Sequence, residues 1–192
     1  MSIAEKLTTI AENQQRVYNA GYSAGQGAGG DTSVEDSIVD RSITEYRNDR
    51  LTYIGTSAFQ GANKLVSVDL PNVETTAGYV FQNCTALTSV NLPKATMLGN
   101  GAINNCTSLV SIDLPLVKDI YTYAFSGSSK LEKVILRSET VARLRGVAFS
   151  NTPIANGTGY IYVPDNLVDS YKTATNWTTV ANQIKPISEL EG

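Results

Sequence analysis

A repeat of 22 residues constrains the fold of this chain more than any other feature of its sequence. A leucine column, an aromatic column and a proline column all keep this step, and their members are Leu65, Leu87, Leu109 and Leu131; Phe59, Phe81, Ile103 and Phe125; and Pro71, Pro93 and Pro115. A fourth copy lacks the proline, and a fifth, from Phe149, is displaced by two residues inserted around Ser138 and Glu139. Four aligned copies indicate a repeat architecture.

Each repeat also holds a second pair of mostly apolar positions. They are Leu51, Val73, Ala95, Val117 and Val141, followed by Ile54, Thr76, Leu98, Ile120 and Leu144. Two short apolar segments separated by turn residues predict two short strands per coil. One coil cannot bury its apolar side alone, so the coils must stack. The sequence therefore predicts a leucine-rich-repeat solenoid of about five coils of 22–24 residues with short β-strands.

Segments with other patterns flank the repeats and predict the division of the chain. We expect an N-terminal α-helix over 1–24, a glycine-rich linker over 25–30, an N-terminal cap over 31–52, the repeats over 53–164, and a short helical C-terminal cap and tail over 165–192. The residues available to cover the first coil are Ile38, Val39, Ile43 and Tyr46.

The C-terminal cap is predicted from a helix signal followed by apolar residues at helical spacing. Asp165 is expected to be a helix N-cap, with the face behind it formed by Leu167, Val168 and Tyr171. A second short helical pattern continues through Trp177, Val180 and Ile184. Pro186 is expected to end that pattern because proline cannot continue a helix.

Heptad spacing near the N-terminus predicts a coiled-coil-like helix. The seam runs through Ile3, Leu7, Ile10, Gln14 and Val17, and it holds a polar residue at one layer. We expect this helix to form a homo-oligomer, with a trimer favoured, or to dock into a larger assembly, with Gln14 fixing the register or the oligomeric state. The alternative is an amphipathic helix that folds back onto the solenoid, because an isolated helix of this length is marginal in water.

Composition weighs against catalysis and against nucleic acid as a partner. The chain contains no histidine, which removes histidine bases, histidine triads and histidine metal sites. Its 15 Lys and Arg against 18 Asp and Glu give a net charge of −3, whereas phosphate binding needs a basic surface. The segments 21–25 and 25–30 match a nucleophile elbow and a dinucleotide loop, but the predicted helix precedes them where both motifs need a strand. We predict a non-enzymatic protein without a cofactor or a metal.

The targeting features of the sequence are equally sparse. No apolar run approaches the roughly 20 residues of a membrane span, so we expect no membrane insertion. The chain begins without a basic segment followed by an apolar stretch, and we expect no secretory signal.

The two cysteines of the chain occupy one position of the repeat. Cys84 and Cys106 align with Ala62 and Ser128, and a position that accepts these three residue types is predicted to be small and buried. Free thiols are expected, and a disulfide between adjacent coils is the alternative. Asn83 and Asn105 precede the cysteines, and their side chains are expected to bond the backbone of a tight turn.

The residues between the buried positions of the leucine motif are predicted to point outward as a small-polar, mildly acidic stripe. The candidate ligand-binding residues are Ser67, Asp69, Ser89, Asn91, Ser111 and Asp113, continued by Lys133 and Ile135. Such a stripe suits a glycan or a protein partner, and the alternative is a solvated face. Candidate aromatic contacts are Tyr79, Tyr121 and Tyr123, with Tyr160 and Tyr162 in the later coils. Packing between coils explains these tyrosines equally well.

Several of these segments resemble the BspA-like (Treponema pallidum type) leucine-rich repeats. They are Thr56–Phe59, Phe81–Cys84, Leu87–Pro93 and Tyr123–Phe125. The ending over 161–171, with Trp177 and residues 184–186, is similar to the C-terminal cap common in such proteins. The resemblance covers about residues 42–187 and implies the solenoid fold. For function it implies a bacterial surface adhesin or a phage structural protein.

The N-terminal stretch resembles the starts of phage and prophage proteins encoded among tail genes, over residues 3–13 and 17–21. We therefore expect a virion protein of the tail-fibre or receptor-binding type, assembled in the host cytoplasm. Residues 1–30 would bind other virion proteins, and the repeats would contact a host surface glycan or protein. The alternatives are a purely structural fibre, collar or head-decoration protein, and a cell-surface adhesin of the BspA-like type.

Overall fold

The computed structural model describes residues 43–190, in which long and short strands alternate along the chain. The long strands are β1 (Glu45–Arg47), β3 (Ser67–Asp69), β5 (Ser89–Asn91), β7 (Ser111–Leu114), β9 (Lys133–Leu136) and β11 (Tyr160–Val163). The short strands are β2 (Tyr53–Ile54), β4 (Thr75–Thr76), β6 (Met97–Leu98), β8 (Asp119–Ile120) and β10 (Arg143–Leu144).

Strands pair in parallel with their equivalents in the neighbouring coils. Ser67 lies opposite Ser89 on the long strands, and Thr75 lies opposite Met97 on the short ones. The short strands form one five-stranded sheet, and the long strands form two sheets that meet where β5 lies beside β7. We call the row of long strands the strand face and the row of short strands the second-strand face. The predicted solenoid of stacked coils with short strands is confirmed, and the strands are parallel.

Alternation along the long strands β1 to β9 sends every second side chain into the core, whereas in β11 three consecutive side chains are buried. In β7, Ile112 and Leu114 are buried while Ser111 and Asp113 are exposed, as the pleat of a strand requires. The aromatic column stacks inside the solenoid, with ring centres 5.3 Å apart for Phe59 and Phe81 and again for Phe125 and Phe149. Ile103 interrupts the stack and is fully buried, so it fills the same position without an aromatic ring.

The third side of each coil consists of turns whose backbones bond directly to the next coil. The N–H of Phe59 donates to the oxygen of Val80 at 2.9 Å, and the N–H of Phe81 donates to that of Ala102 at 2.8 Å. One position of the turn has a positive φ in every coil, and it holds Gly61, Asn83, Asn105, Gly127 and Asn151. Glycine and asparagine adopt this left-handed conformation most readily. We call this side the turn face.

The predicted role of the asparagine side chains is corrected by the turn face. Asn105 Nδ2 donates to Asn83 Oδ1 at 3.1 Å, so the two amides pair between coils instead of bonding their own turns. The cause is the stacking itself, because equivalent positions recur at the spacing of neighbouring strands, about 4.8 Å. Asparagine stabilises the turn because its backbone readily adopts the positive φ required there.

The two inserted residues displace the fifth coil as predicted. Asp119 lies opposite Arg143, a step of 24 residues where the earlier short strands keep a step of 22. The extra residues follow β9, where Ser138 is buried and bonds Thr140 at 3.4 Å between the two hydroxyl oxygens. The insertion is therefore absorbed between β9 and β10. β9 still pairs with β7, and β10 still pairs with β8.

A C-terminal cap closes the solenoid with one α-helix, three 3-10 helices and one strand. They are α1 (Val168–Thr173), the 3-10 helices Asp165–Leu167, Trp177–Gln183 and Ile187–Glu189, and β12 (Ile184–Pro186), which pairs with β11. Tyr171 and Trp177 are fully buried, with ring centres 5.0 Å apart. Leu167 and Val168 pack against the core, so the predicted apolar face of the first helix is confirmed.

Cap side chains bond the backbone of β10, the last strand of the second-strand face, and of Ala142, the residue before it. The N–H of Ala142 donates to the Tyr171 hydroxyl at 2.9 Å, and Trp177 Nε1 donates to the Ala142 oxygen at 2.7 Å. Asn176 Nδ2 donates to the Leu144 oxygen at 2.7 Å. A sheet edge presents unpaired backbone groups, and here the cap satisfies them with side chains.

Two details predicted for the cap are wrong. Asp165 is the first residue of a 3-10 helix whose N-cap is Pro164, and its carboxylate accepts the N–H of Ser188 at 3.2 Å. Hydrogen bonds from Ser188 hold the pKa of Asp165 below its usual value. Ile184 belongs to β12 and not to a helix, and the preceding 3-10 helix ends before it, at Gln183. The strand forms because β11 offers an open edge.

Residues 1–42 and 191–192 lie outside the described part of the chain, and so do the predicted helix, the linker and most of the predicted N-terminal cap. From that cap, Ile43 packs against the core and Tyr46 is buried, with its ring centre 4.9 Å from that of Phe59. Glu45 lies opposite Ser67, in register with the repeats. The described end of the predicted cap therefore has the geometry of a repeat coil.

Candidate functional site: the strand face

The six candidate ligand-binding residues lie in two parallel rows on β3, β5 and β7. Ser67, Ser89 and Ser111 form one row, and the other consists of Asp69, Asn91 and Asp113. The members on β5 and β7 are exposed, and those on β3 are half-buried. The alternation that buries the leucine motif therefore places all six side chains outward on one rigid face.

The two carboxylates of the stripe each have an arginine partner. Asp69 Oδ2 lies 2.7 Å from a guanidinium nitrogen of Arg47, and its other oxygen accepts Asn91 Nδ2 at 2.7 Å. Asp113 Oδ2 lies 2.9 Å from Arg137 Nε. Exposed pairs of this kind add little to stability, but they balance the charge of the stripe. Its centre, at Ser89 and Ser111, is polar and carries no formal charge.

Beyond Lys133 and Ile135 the two rows end in tyrosines. Tyr160 lies opposite Lys133, and Tyr162 lies opposite Ile135. The tyrosine ring centres are 6.4 Å apart, and Lys185 Nζ lies 4.5 Å from the centre of the Tyr160 ring. The stripe thus runs from small polar residues to an aromatic and cationic end.

Sequence reasoning did not assign this aromatic end to the strand face. The step from Lys133 to Tyr160 is 27 residues, so the repeat does not mark it. The signal that could have found it is the run of aromatic and aliphatic residues Tyr160–Val163, which has the composition of a buried strand.

The structure does not bring the candidate aromatic contacts to the stripe. Tyr79 and Tyr123 lie on the turn face, where they are 40% and 52% exposed. Tyr121 follows β8 on the second-strand face, and the guanidinium carbon of Arg145 lies 4.7 Å from its ring centre. The three tyrosines therefore occupy other sides of the solenoid, and their role as ligand contacts stays a prediction.

The cysteines are buried and free, so the expectation of unpaired thiols is confirmed. Cys84 Sγ donates to the Phe59 oxygen at 3.0 Å, and Cys106 Sγ donates to the Phe81 oxygen at 3.1 Å. Burial raises the pKa of the Cys84 thiol to about 12 and that of Cys106 well above its usual value. Nucleophilic chemistry needs a thiolate, and neither thiol is placed to form one near neutral pH.

Three further expectations concern metal binding, membrane insertion and oligomerisation. Within residues 43–190, no group of His, Cys, Asp and Glu side chains is arranged to hold a metal ion. No helix among the described residues is both long and apolar enough to cross a membrane. The predicted oligomerisation residues, Ile3, Leu7, Ile10, Gln14 and Val17, lie outside the described residues, and their role stays a prediction.

The stacked coils define the class of the protein as a leucine-rich-repeat solenoid. Residues 42–164 match the family described as the BspA type leucine rich repeat region, in six copies. This match covers more than half of the chain, and the chain belongs to that family. The resemblance inferred from the repeat motifs is confirmed. The six copies agree in number with the six long strands of residues 43–190. The sequence predicted about five coils, which is the number of short strands in the same residues.

Two of the solved structures that the chain resembles are bacterial leucine-rich-repeat proteins. The first is a leucine rich cell surface protein from Faecalibacterium prausnitzii, at 29% identity and a TM-score of 0.46 over 48% of this chain and 26% of that one. The second is the T. pallidum leucine rich repeat protein, at 23% identity and a TM-score of 0.51 over 63% of this chain and 58% of that one. The chain thus spans about a quarter and somewhat more than half of these proteins. No curated protein matches the sequence significantly.

Proposed function

We propose that this chain is a non-enzymatic binding protein whose strand face recognises a glycan or a protein on a host surface. The observation that carries the proposal is the pair of outward rows on β3, β5 and β7. A parallel ladder holds β3 and β5 in register, and β7 lies beside β5. Concave or flat solenoid faces of this kind commonly serve as binding surfaces. No enzyme family is indicated by the comparisons.

The chemistry of the strand face suits a polar partner. Serine hydroxyls, an asparagine amide and an aspartate offer both donors and acceptors, and the side chains on β5 and β7 are exposed. The half-buried Tyr160 at the far end adds ring surface beside Lys185, whereas Tyr162 is buried. Because the backbone beneath is fixed by the core, a partner would order few groups on binding, which favours affinity.

We place this binding protein in a virion, as a tail-fibre or receptor-binding protein. Two sequence features support this placement: the heptad seam of residues 1–24 and the resemblance of the N-terminal stretch to tail-gene products. Three copies joined by the seam would raise the avidity of weak sites by roughly 10²–10⁴ without new contacts. The alternative is a purely structural virion protein without a receptor, in which the stripe binds nothing.

A cell-surface adhesin is the second candidate, and membership of the BspA-type family favours it. The two placements share the strand face as the binding surface and differ in what residues 1–30 do. A virion protein needs these residues for incorporation into the particle. An adhesin would instead come from a longer native gene with an export signal.

The experiment for the binding surface applies the labelled full chain to arrayed bacterial surface glycans and to intact bacterial cells. A variant with Ser89→Arg and Ser111→Arg places two bulky charges on the strand face, and we expect it to lose binding. A matched control, Asn63→Arg with Thr85→Arg, adds the same charge at exposed turn positions and should keep binding. Equal binding by both variants, or no bound surface for the full chain, would contradict the proposal.

The experiment for the anchor compares solution masses by light scattering. The full chain is expected to be a trimer, and a shortened chain that begins at Asp31 is expected to be a monomer. A monomer in both cases would contradict self-association through residues 1–30. Unchanged incorporation into particles after deletion of 1–30 would contradict the virion anchor itself.

A further inference from the structure

A groove lies between the last coil and the C-terminal cap on the second-strand face. Its volume is about 500 Å³, within the range of roughly 300–1,000 Å³ that small-molecule sites have. One wall is Val141–Arg145 and the other is Ala174–Trp177. Asn176 Nδ2 and Trp177 Nε1 donate to backbone oxygens of the first wall and so hold the two walls together, and the Tyr171 hydroxyl accepts the N–H of Ala142 beside them. The groove therefore has a fixed shape.

Two arginines of this groove share a single carboxylate. Arg143 Nε and Arg145 Nε lie 3.0 Å and 2.9 Å from the same oxygen of Asp119. One carboxylate cannot neutralise two guanidinium groups, and the neighbouring Lys118 is exposed. The Arg143 side chain is 66% exposed, so solvent reaches it. The site keeps a local excess of positive charge in a chain whose net charge is −3.

Arg145 is already oriented for binding. Its guanidinium carbon lies 4.7 Å from the ring centre of Tyr121, while its Nε bonds Asp119. A stacked and ion-paired guanidinium has little freedom left to lose when a ligand arrives.

The packing of the repeat does not require these arginines. The positions equivalent to Arg145 in the earlier coils hold Gly55, Ala77, Gly99 and Tyr121, and those equivalent to Arg143 hold Tyr53, Thr75, Met97 and Asp119. Both arginines appear only in the coil that faces the cap. The repeat therefore has arginines at these two positions only in the coil that forms the groove.

We propose that this groove binds a carboxylate-bearing saccharide, with Arg143 and Arg145 as the groups that hold its carboxylate. The planar fork of a guanidinium matches the two oxygens of a carboxylate better than a point charge does. Val141 and Ala174 are half-buried and offer apolar surface for a sugar ring, and Thr175 adds an exposed hydroxyl. The site lies on a different side of the solenoid from the strand face, so it does not depend on the proposed function.

The test titrates the full chain with D-glucuronate and follows tryptophan fluorescence. Trp177 is the single tryptophan of the chain, and its buried side chain lies in one wall of the groove, so its emission follows changes at that wall. We expect a saturable change with glucuronate and none with neutral glucose. A variant with Arg143→Gln and Arg145→Gln should weaken binding about tenfold or more, as loss of charged hydrogen bonds does.

Two further variants keep the test sharp. Arg143→Gln alone changes a mostly exposed side chain, and it should weaken glucuronate binding several-fold with an unchanged melting temperature. Arg137→Gln is the matched control, because Arg137 Nε also lies 2.9 Å from an aspartate, Asp113, but on the strand face. The control should bind glucuronate as the unchanged chain does.

Four results would overturn the proposal. They are no saturable response to glucuronate, equal affinity in the double variant, loss of affinity in the Arg137 control, and inorganic phosphate binding as tightly as glucuronate. The third result would place the ligand on the strand face, and the fourth would make the site one for any small anion.

Discussion

Two columns of small residues run along this solenoid five positions apart, and they have opposite environments. The inner column is Ala62, Cys84, Cys106, Ser128 and Thr152, all of them buried, and the outer column is Ser67, Ser89 and Ser111 on the strand face. Serine occurs in both columns. The position within the coil therefore decides burial, and the residue type follows from it.

The inner column is chemically restricted in a way that the outer column is not. Cys84 and Cys106 donate to carbonyls of the preceding coil, and Ser128 Oγ donates to the Ile103 oxygen at 2.8 Å. Buried polar groups need partners, so this column accepts only small donors or alanine. Water satisfies the outer column, so packing does not restrict its residues in this way.

The largest effect is expected for a charge placed in the inner column. Cys84→Asp would bury a carboxylate without a partner, and we expect it to lower the free energy of unfolding by about 3–5 kcal/mol. Urea denaturation followed by circular dichroism measures the loss. A variant as stable as the unchanged chain would mean that the inner column is accessible to water.

Alkaline pH should separate the columns next, because only the inner column holds titrating groups. Burial raises the pKa of Cys84 to about 12, from a usual value of 9.0, and raises that of Cys106 as well. The unfolded chain loses these protons first, so the stability that the neutral thiols contribute is complete below pH 9.0 and is lost as pH rises toward 12. The expected slope is about 1.4 kcal/mol per pH unit for each thiol.

The control for this slope is a chain with Cys84→Ala and Cys106→Ala. Burial also raises the pKa of Tyr46 to about 12, so part of the alkaline loss remains in the control. Urea denaturation on either side of the usual thiol pKa should show a shallower loss for the control. Identical slopes for the two chains would contradict burial of the thiols.

The same substitution in each column gives a smaller and cleaner contrast. Ser128→Ala removes the donor to the Ile103 oxygen and the acceptor of the Cys106 N–H, and we expect it to cost about 1–3 kcal/mol. Ser111→Ala on the strand face should change stability by less than about 0.5 kcal/mol. Equal costs in denaturant unfolding would remove the distinction between the columns.

The smallest effect is expected for a charge added to the outer column. Ser89→Asp places a carboxylate in water, five positions from Cys84, and it should stay within about 0.5 kcal/mol of the unchanged chain. Its melting temperature is the simplest readout. Equal melting temperatures for Ser89→Asp and Cys84→Asp would refute the assignment of inside and outside.

The two columns could be predicted from the sequence because equivalent positions in successive coils of a solenoid have the same environment. The leucine motif marked the buried positions, and the mixture of Ala, Cys and Ser at one position marked a small buried site. The outward direction of the six stripe residues followed from strand alternation. Each of these inferences depends on contacts between equivalent positions one coil apart.

Contacts without a period could not be predicted in this way. The hydrogen bonds of Tyr171 and Trp177 with Ala142 join residues 29 and 35 positions apart, and no sequence pattern in either segment indicates that they are in contact. The strand β12 formed because β11 had an open edge, which helical spacing in the sequence concealed. The pairing of Asp69 and Asp113 with arginines likewise became visible only with the coils in place.

The central claim, that the strand face is the binding surface, is tested most directly by hydrogen exchange of the full chain with and without a bound surface glycan. We predict added protection of amides in β3, β5 and β7, with no change on the turn face. Protection confined to the turn face or to residues 1–30 would contradict it.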